Sequence, residues 1–291
     1  MLNFFRILAF IFLFLPTESN TTNISITMDD HPLPPTSILS AQERNANFLK
    51  ALDAHNCQAV FFCVGKHCIE QDDPYLLLDL LKHGHSIANH SYSHRHLSKI
   101  SITDFEAELI ANEQTLCNCS MQKWFRYPYL DYGNRKETGG SFRKAYGAYR
   151  VLKKHGYKEG YVTINTFDWH INAKLLKAIN EDKVVDYDAL KETYLSLIKE
   201  WCEFYINYYQ SLGFGDITHT LLLHANDING LYLGDILNMI QEAGWNLASP
   251  QEAFNEAKWR KKFLKISRGK TPSPSTLNTA ALDEKLKKIG L

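Results

Sequence analysis

The sequence predicts an α/β fold, a distorted TIM-like β/α barrel that need not be complete, and three observations point to it. Short β-rich runs alternate with longer helical patterns along the chain. Seven such runs favour closure of a parallel sheet over an open one, which stands as the alternative. Polar residues stand directly after several of the runs, where the strand ends of a parallel barrel converge.

The 291 residues open with one cation, Arg6, then the apolar stretch Ile7 to Leu15 and Pro16. That pattern fits the first two regions of a secretory signal and is too short to span a bilayer. The expected organisation is a signal peptide over 1–20, a main domain over 21–257 and a basic helix and tail over 258–291. Export to a secreted or periplasmic location follows, with no stable membrane span; an anchored form is less favoured.

The strand-like runs are Ile24 to Met28, Ala59 to Val64, Ser86 to Asn89, Trp124 to Arg126, Tyr161 to Ile164, Thr220 to Leu223 and Asn246 to Ala248. Helical periodicity covers Leu76 to His83, Thr103 to Leu116, Tyr187 to Leu212 and Leu231 to Ala243. Thr103 with Glu106, and Ser249 through Glu252, read as capping boxes. Beyond the second box the chain is basic from Lys258 to Lys270, read as a solvated face. Thr271 to Ser275 then reads as a linker and Ala280 to Leu291 as a short amphipathic helix.

Lys plus Arg and Asp plus Glu both number 32, so no charge excess draws the chain to nucleic acid. Six cysteines (Cys57, Cys63, Cys68, Cys117, Cys119, Cys202) suit an oxidising compartment. None has the spacing of a redox or zinc motif, and no catalytic part is assigned to them.

The chemistry is expected at the strand ends. Asp29 and Asp30 follow the first run, His90 and His94 the third, Arg126 ends the fourth, Asp168 and Trp169 follow the fifth, and His224 follows Leu221 to Leu223. His90 and His94 are four apart, so a helical turn there would aim both imidazoles the same way. Two imidazoles and a carboxylate leave a coordination position open for water, as catalytic zinc requires. Taken singly, the residues have blander readings. One aspartate could cap a turn, Arg126 and Asp168 could be a structural ion pair, and Trp169 and Leu221 could be core. The polar loop Ala225-Asn226-Asp227 reads as a pocket rim.

Five ordered segments, Thr27-Met28-Asp29-Asp30, His90-Ser91-Tyr92-Ser93-His94, Arg126-Tyr127-Pro128-Tyr129, Asp168-Trp169 and Leu221-Leu222-Leu223-His224, resemble the motifs of the NodB-type polysaccharide deacetylases, carbohydrate esterase family 4. The resemblance implies the NodB homology fold and removal of acetyl groups from a polysaccharide, with an N-acetylglucosamine glycan favoured and O-acetyl esters also open. It implies a divalent metal held by Asp30, His90 and His94, zinc foremost, with cobalt, manganese or nickel as alternatives. It also implies Asp29 as general base, His224 as general acid and an oxyanion contact from the backbone of Tyr129. Arg126 would orient Asp29 and be held by Asp168, while Trp169 and Leu221 would wall the acetyl pocket. Two departures stand out. His31 replaces the glycine common after the acidic pair and is expected at the metal mouth, and Asn165 stands where an acid is common. Hydrolysis of another C–N bond, as in cyclic imides or ureides, and a catalytically silent glycan-binding barrel are the rival readings.

Overall fold

The computed structural model describes residues 21–116, 119–134, 139–255 and 273–291. The expected signal segment and the basic run Lys258 to Lys270 lie outside the described residues.

Seven parallel strands form one curled sheet, in the order β5-β4-β3-β2-β1-β6 with β7 beside the start of β1. They are β1 (Asn23–His31), β2 (Ala59–Cys63), β3 (Ser86–Asn89), β4 (Met121–Phe125), β5 (Lys158–Glu159), β6 (Thr218–His224) and β7 (Asn246–Leu247). Between them run α1 (Ala41–Ala54), α2 (Gly65–Gln71), α3 (Tyr75–Lys82), α4 (Ile102–Thr115), α5 (Phe142–Lys154), α6 (Asp168–Asn180), α7 (Tyr187–Ser211) and α8 (Asp227–Glu242). Helices α9 (Pro250–Asn255) and α10 (Thr279–Lys287) follow β7.

Strand β1 alternates apolar with polar residues, usually the sign of one wet face. Here both faces are buried. Ile24, Ile26 and Met28 join the main apolar cluster, while Ser25, Thr27 and Asp29 share the face that the curled sheet encloses. On β2 the same alternation puts Phe61 against Phe48 of α1 and Phe62 beneath the Arg126 guanidinium, 4.2 Å from its central carbon to the ring centroid. Phe254 of α9 closes the strand-start end, edge-on to Tyr161 and against Trp124 and Phe62. Gln251 of the same helix bonds Ser86 at the start of β3. The opposite end of the enclosed space stays available for chemistry.

Closure is sparse on one side. The run expected as a strand from Tyr161 to Ile164 contributes only the bridge Ile164 to Leu221, because it crosses from the edge of β4 to the edge of β6. The carbonyls at its start are used elsewhere: that of Gly160, just before the run, accepts from Arg126 Nε, and Tyr161 O from Arg126 Nη2 at 3.2 Å. A ladder cannot use the same lone pairs at full strength.

Two helix starts differ from expectation. Helix α4 is capped by Ser101 with Asp104, not by Thr103 with Glu106, since Glu106 is taken by His155 at 2.6 Å and Lys154 at 2.7 Å. Helix α8 begins four residues early, capped by Asn226. The loop read as a pocket rim is accordingly buried, and Asp227 pairs with the buried Arg44 at 2.8 Å. The capping contact expected at Ser249 is present, from Glu252 N at 3.3 Å. In the tail, Leu282 and Leu286 of α10 are buried, and Asp283 binds His170 and Lys174 of α6.

Burial pushes the imidazoles of His85 and His219 from 6.5 down to about 4. Each stays neutral in the fold and takes a proton on unfolding, so its stabilising contribution is complete above pH 6.5 and is lost as pH falls towards 4. The urea midpoint is expected to drop over that window, and His219→Gln to flatten the drop. An equal pH dependence in the variant would show that His219 is not one of the groups responsible.

Candidate metal and catalytic site

Adjacent residues of a strand normally face opposite ways, yet Asp29 and Asp30 serve one pocket. The reason is local: Asp30 has φ 67°, inside a register irregularity of β1 against β2 between Met28 and His31. Asp29 keeps the inner face. Asp30 is swung towards the loop after β3. A left-handed non-glycine residue costs about 1 kcal/mol, which the surrounding contacts must offset.

That loop is not a helical turn. Ser91 (φ 63°) and His94 (φ 54°) are both left-handed, and this bend brings the two imidazole centroids to 4.9 Å. Ser91 N donates to Asn89 Oδ1, His94 N to Ser91 Oγ, and Ser93 gives both N–H and O–H to Glu108 of α4 at 2.7 and 2.6 Å. His90 Nδ1 lies 2.9 Å from Arg126 O. A carbonyl only accepts, so Nδ1 carries the hydrogen, and in the neutral ring Nε2 presents a lone pair.

His94 Nε2 and His90 Nε2 face Asp30 Oδ1 at 3.0 and 3.4 Å. That oxygen is hidden from solvent and accepts no well-directed hydrogen bond. One ligand atom from each residue falls within 4.8 Å of the others. Donors around a tetrahedral ion at ~2.0–2.1 Å would lie about 3.4 Å apart, so the trio fits a divalent metal of the zinc type. Burial works against the Asp30 charge, but the two imidazoles outweigh it and hold the carboxyl well below its ordinary range.

On one side of this trio stands Asp29, 3% exposed. Its Oδ1 accepts from Arg126 Nη1 at 2.9 Å, and its Oδ2 is 3.7 Å from His90 Nε2. Arg126 is fully buried and also donates to Thr27 Oγ1. It is held by Gly160, Tyr161 and Phe62, not by Asp168 as expected. Asp168 serves His224 instead. Its carboxylate takes the His224 backbone N–H and the ring Nδ1, both at 2.7 Å, and is braced by Asn229 Nδ2 at 2.7 Å, Asn226 and Thr166. Burial disfavours the imidazolium of His224, but Asp168, then Asp30 and Asp29, raise it to about 10.

Three expected residues sit differently. Leu221 is fully buried and belongs with Leu223 to the outer apolar cluster. Leu222, in register with Thr27 and two residues before His224, is the leucine on the site face. His31 is not at the metal mouth: it is 2% exposed, edge-on to Phe61 and bonded to Leu76 O at 3.2 Å. Trp169 is 46% exposed in the first turn of α6, against Phe167. Tyr129 (φ 58°) stacks on His96 at 3.7 Å and tilts against His94, and its backbone N–H has no partner among the described residues. The Asn165 side chain makes no hydrogen bond among the described residues. Sequence reasoning missed Thr27, Glu108 and Asn229; only Thr27 carried a signal, its shared parity with Asp29.

Residues 17–144 match the profile of the family described as polysaccharide deacetylase. The match covers less than half of the chain. Relatives include a peptidoglycan-N-acetylglucosamine deacetylase of Bacillus cereus, 29% identical over 112 residues, which are 38% of this chain and 37% of the relative. Chitin deacetylase 2 of Saccharomyces cerevisiae is 28% identical over 174 residues, covering 58% and 45%. The chain thus spans less than half the length of either polysaccharide deacetylase relative. A CE4 family pseudoenzyme from Bacillus anthracis shares the fold at TM-score 0.55 with 15% identity, covering 81% of this chain and 66% of that one. No helix among the described residues is long and apolar enough to cross a membrane.

Proposed function

We propose that the chain is a metal-dependent hydrolase that removes acetyl groups from a polysaccharide, with an N-acetylglucosamine glycan as the favoured substrate. One observation carries this reading: the Asp30, His90, His94 trio stands between a carboxylate fixed by an arginine and an imidazolium fixed by a carboxylate. The relatives named for peptidoglycan and chitin deacetylation support the substrate class.

A divalent cation at the trio, zinc favoured, would supply Lewis acidity to the acetyl carbonyl and acidify water. Asp29, with one oxygen committed to Arg126, accepts the proton of the attacking water on the other. The Tyr129 N–H, unpaired among the described residues, is available to the carbonyl oxygen as negative charge develops. His224 gives its Nε2 proton to the departing nitrogen or oxygen as the C–N or C–O bond breaks, leaving acetate and a free amine or hydroxyl. Leu222 and Trp169 flank the space for the acetyl group. The domain reading is a leader over 1–20, a catalytic domain over 21–257 and a tail over 258–291, with the enzyme acting outside the cytoplasm.

The pseudoenzyme neighbour shows that this fold does not guarantee chemistry. Both proton-transfer residues are present here, each with its partner within 3 Å. Acetate release should be measured on a panel of acetylated glycans, with a cyclic ureide alongside. Release is expected from a glycan, abolished by a chelator and restored by zinc or cobalt. Full activity in a metal-free preparation would remove the role given to the trio, and turnover of the ureide alone would move the enzyme to the other C–N class.

A further inference from the structure

Helix α5 sends Ala148, Val151 and Leu152 inward. It also turns Phe142, Tyr146 and Tyr149 outward, 83, 53 and 41% exposed. Their spacing puts them in one row along the helix. Ring planes of Phe142 and Tyr146 differ by 10°, those of Tyr146 and Tyr149 by 29°, with centroids 6.4 Å apart in both pairs. Exposed Arg143, Arg150 and Lys153 flank the row, and the helix contains no acidic residue. A contiguous aromatic strip bordered by charge marks a binding surface more than an ordinary solvated face.

The strip begins at the rim of the candidate site. Ser141 N donates to Gly133 O and Lys144 Nζ to Ser98 O, both at 2.7 Å. Ser98 donates to Asp131, which lies 3.5 Å from His96, the residue stacked on Tyr129. The start of α5 thus stands beside residues that reach the candidate site, within reach of a polymer seated there. We propose that the outer face of α5 is a second glycan-binding strip, holding an anionic acetylated polysaccharide outside the catalytic pocket; this rests on the deacetylase reading. Near-parallel rings offer flat apolar faces to the C–H faces of sugar rings, and the flanking cations suit carboxylate or phosphate groups on the polymer. A membrane surface fits less well, because the start of the strip is tied through Ser98 and Asp131 to His96, the residue stacked on Tyr129.

The test uses the full chain and the double variant Phe142→Ala with Tyr146→Ala. Binding is read by cosedimentation with peptidoglycan sacculi and with phosphatidylglycerol vesicles, and acetate release on a soluble N-acetylglucosamine trimer. Sacculus binding is expected to weaken about tenfold, since two large ring contacts are removed. The melting temperature and turnover of the trimer should hold. Unchanged sacculus binding overturns the proposal, as does a loss confined to vesicles, which would assign the face to a membrane. Because binding is read without turnover, a wild-type chain that binds sacculi through α5 but releases no acetate would sink the deacetylase reading and leave the strip standing.

Discussion

Asp29→Asn is expected to keep its metal and lose turnover by roughly 10²–10⁴-fold, the usual worth of a positioned general base, while Asp30→Asn loses both. The two carboxylates are neighbours in sequence but face different partners. Asp30 Oδ1 faces two imidazole nitrogens at 3.0 and 3.4 Å, so an amide there leaves two neutral ligands in place of a charged set. Asp29 approaches the trio only at 3.7 Å and is anchored to Arg126. An asparagine oxygen can still accept from the arginine, so the pocket should keep its shape while losing the group that takes the proton. Metal content by elemental analysis, read beside kcat for each purified variant, separates the two. Reversed behaviour, with Asp29→Asn losing metal and Asp30→Asn retaining it, would exchange their roles; two active variants would remove the pair from the site.

Asp168→Asn is expected to bring the alkaline limb of the rate profile down by several pH units. Asp168 is the main reason that the His224 imidazolium persists up to about 10; once its charge is gone, burial acts in the other direction and favours the neutral ring. Below the lowered pKa the acid is still present, so much of the rate should return near pH 6; above it the leaving group goes unprotonated. At pH 8 the loss should be about 10²-fold or more. The variant also turns an amide N–H towards the donors of His224 and Asn229, leaving buried groups unpaired at a cost of about 1–3 kcal/mol, so its melting temperature should fall. His224→Asn serves as the contrast, with a loss at every pH and no displaced limb. If Asp168→Asn keeps the wild-type alkaline limb, Asp168 is a structural residue and the acid lies elsewhere.

The strand-end logic placed Asp29, Asp30, His90, His94, Arg126, Asp168 and His224 at one end of the sheet, and the structure brings them there. Periodicity was sufficient because parallel strands that alternate with helices leave their ends on one side whatever the details of closure. The pairings were less legible. Arg126 and Asp168 are opposite charges at strand ends, and sequence gives no way to see that carbonyls of 160 and 161 already satisfy the arginine. His31 shows the same limit: an imidazole directly after the acidic pair looks like part of the site, but the backbone there sends it to Leu76 O of α3.

By itself the sequence determined the layered α/β architecture and the end of the sheet where the candidate site residues gather, because these follow from patterns with periods of 2 and 3.6. Tertiary structure alone decided which groups touch. The left-handed backbone at Asp30, Ser91 and His94 gathers the trio, Asn229 and Asp168 fix His224, and strand parity selects Leu222 over Leu221. Those contacts join residues up to about two hundred positions apart in the chain, as Thr27 and Leu221 show at a separation of 194. Directional hydrogen bonds over such separations depend on where folding brings the backbone, and no local pattern encodes that.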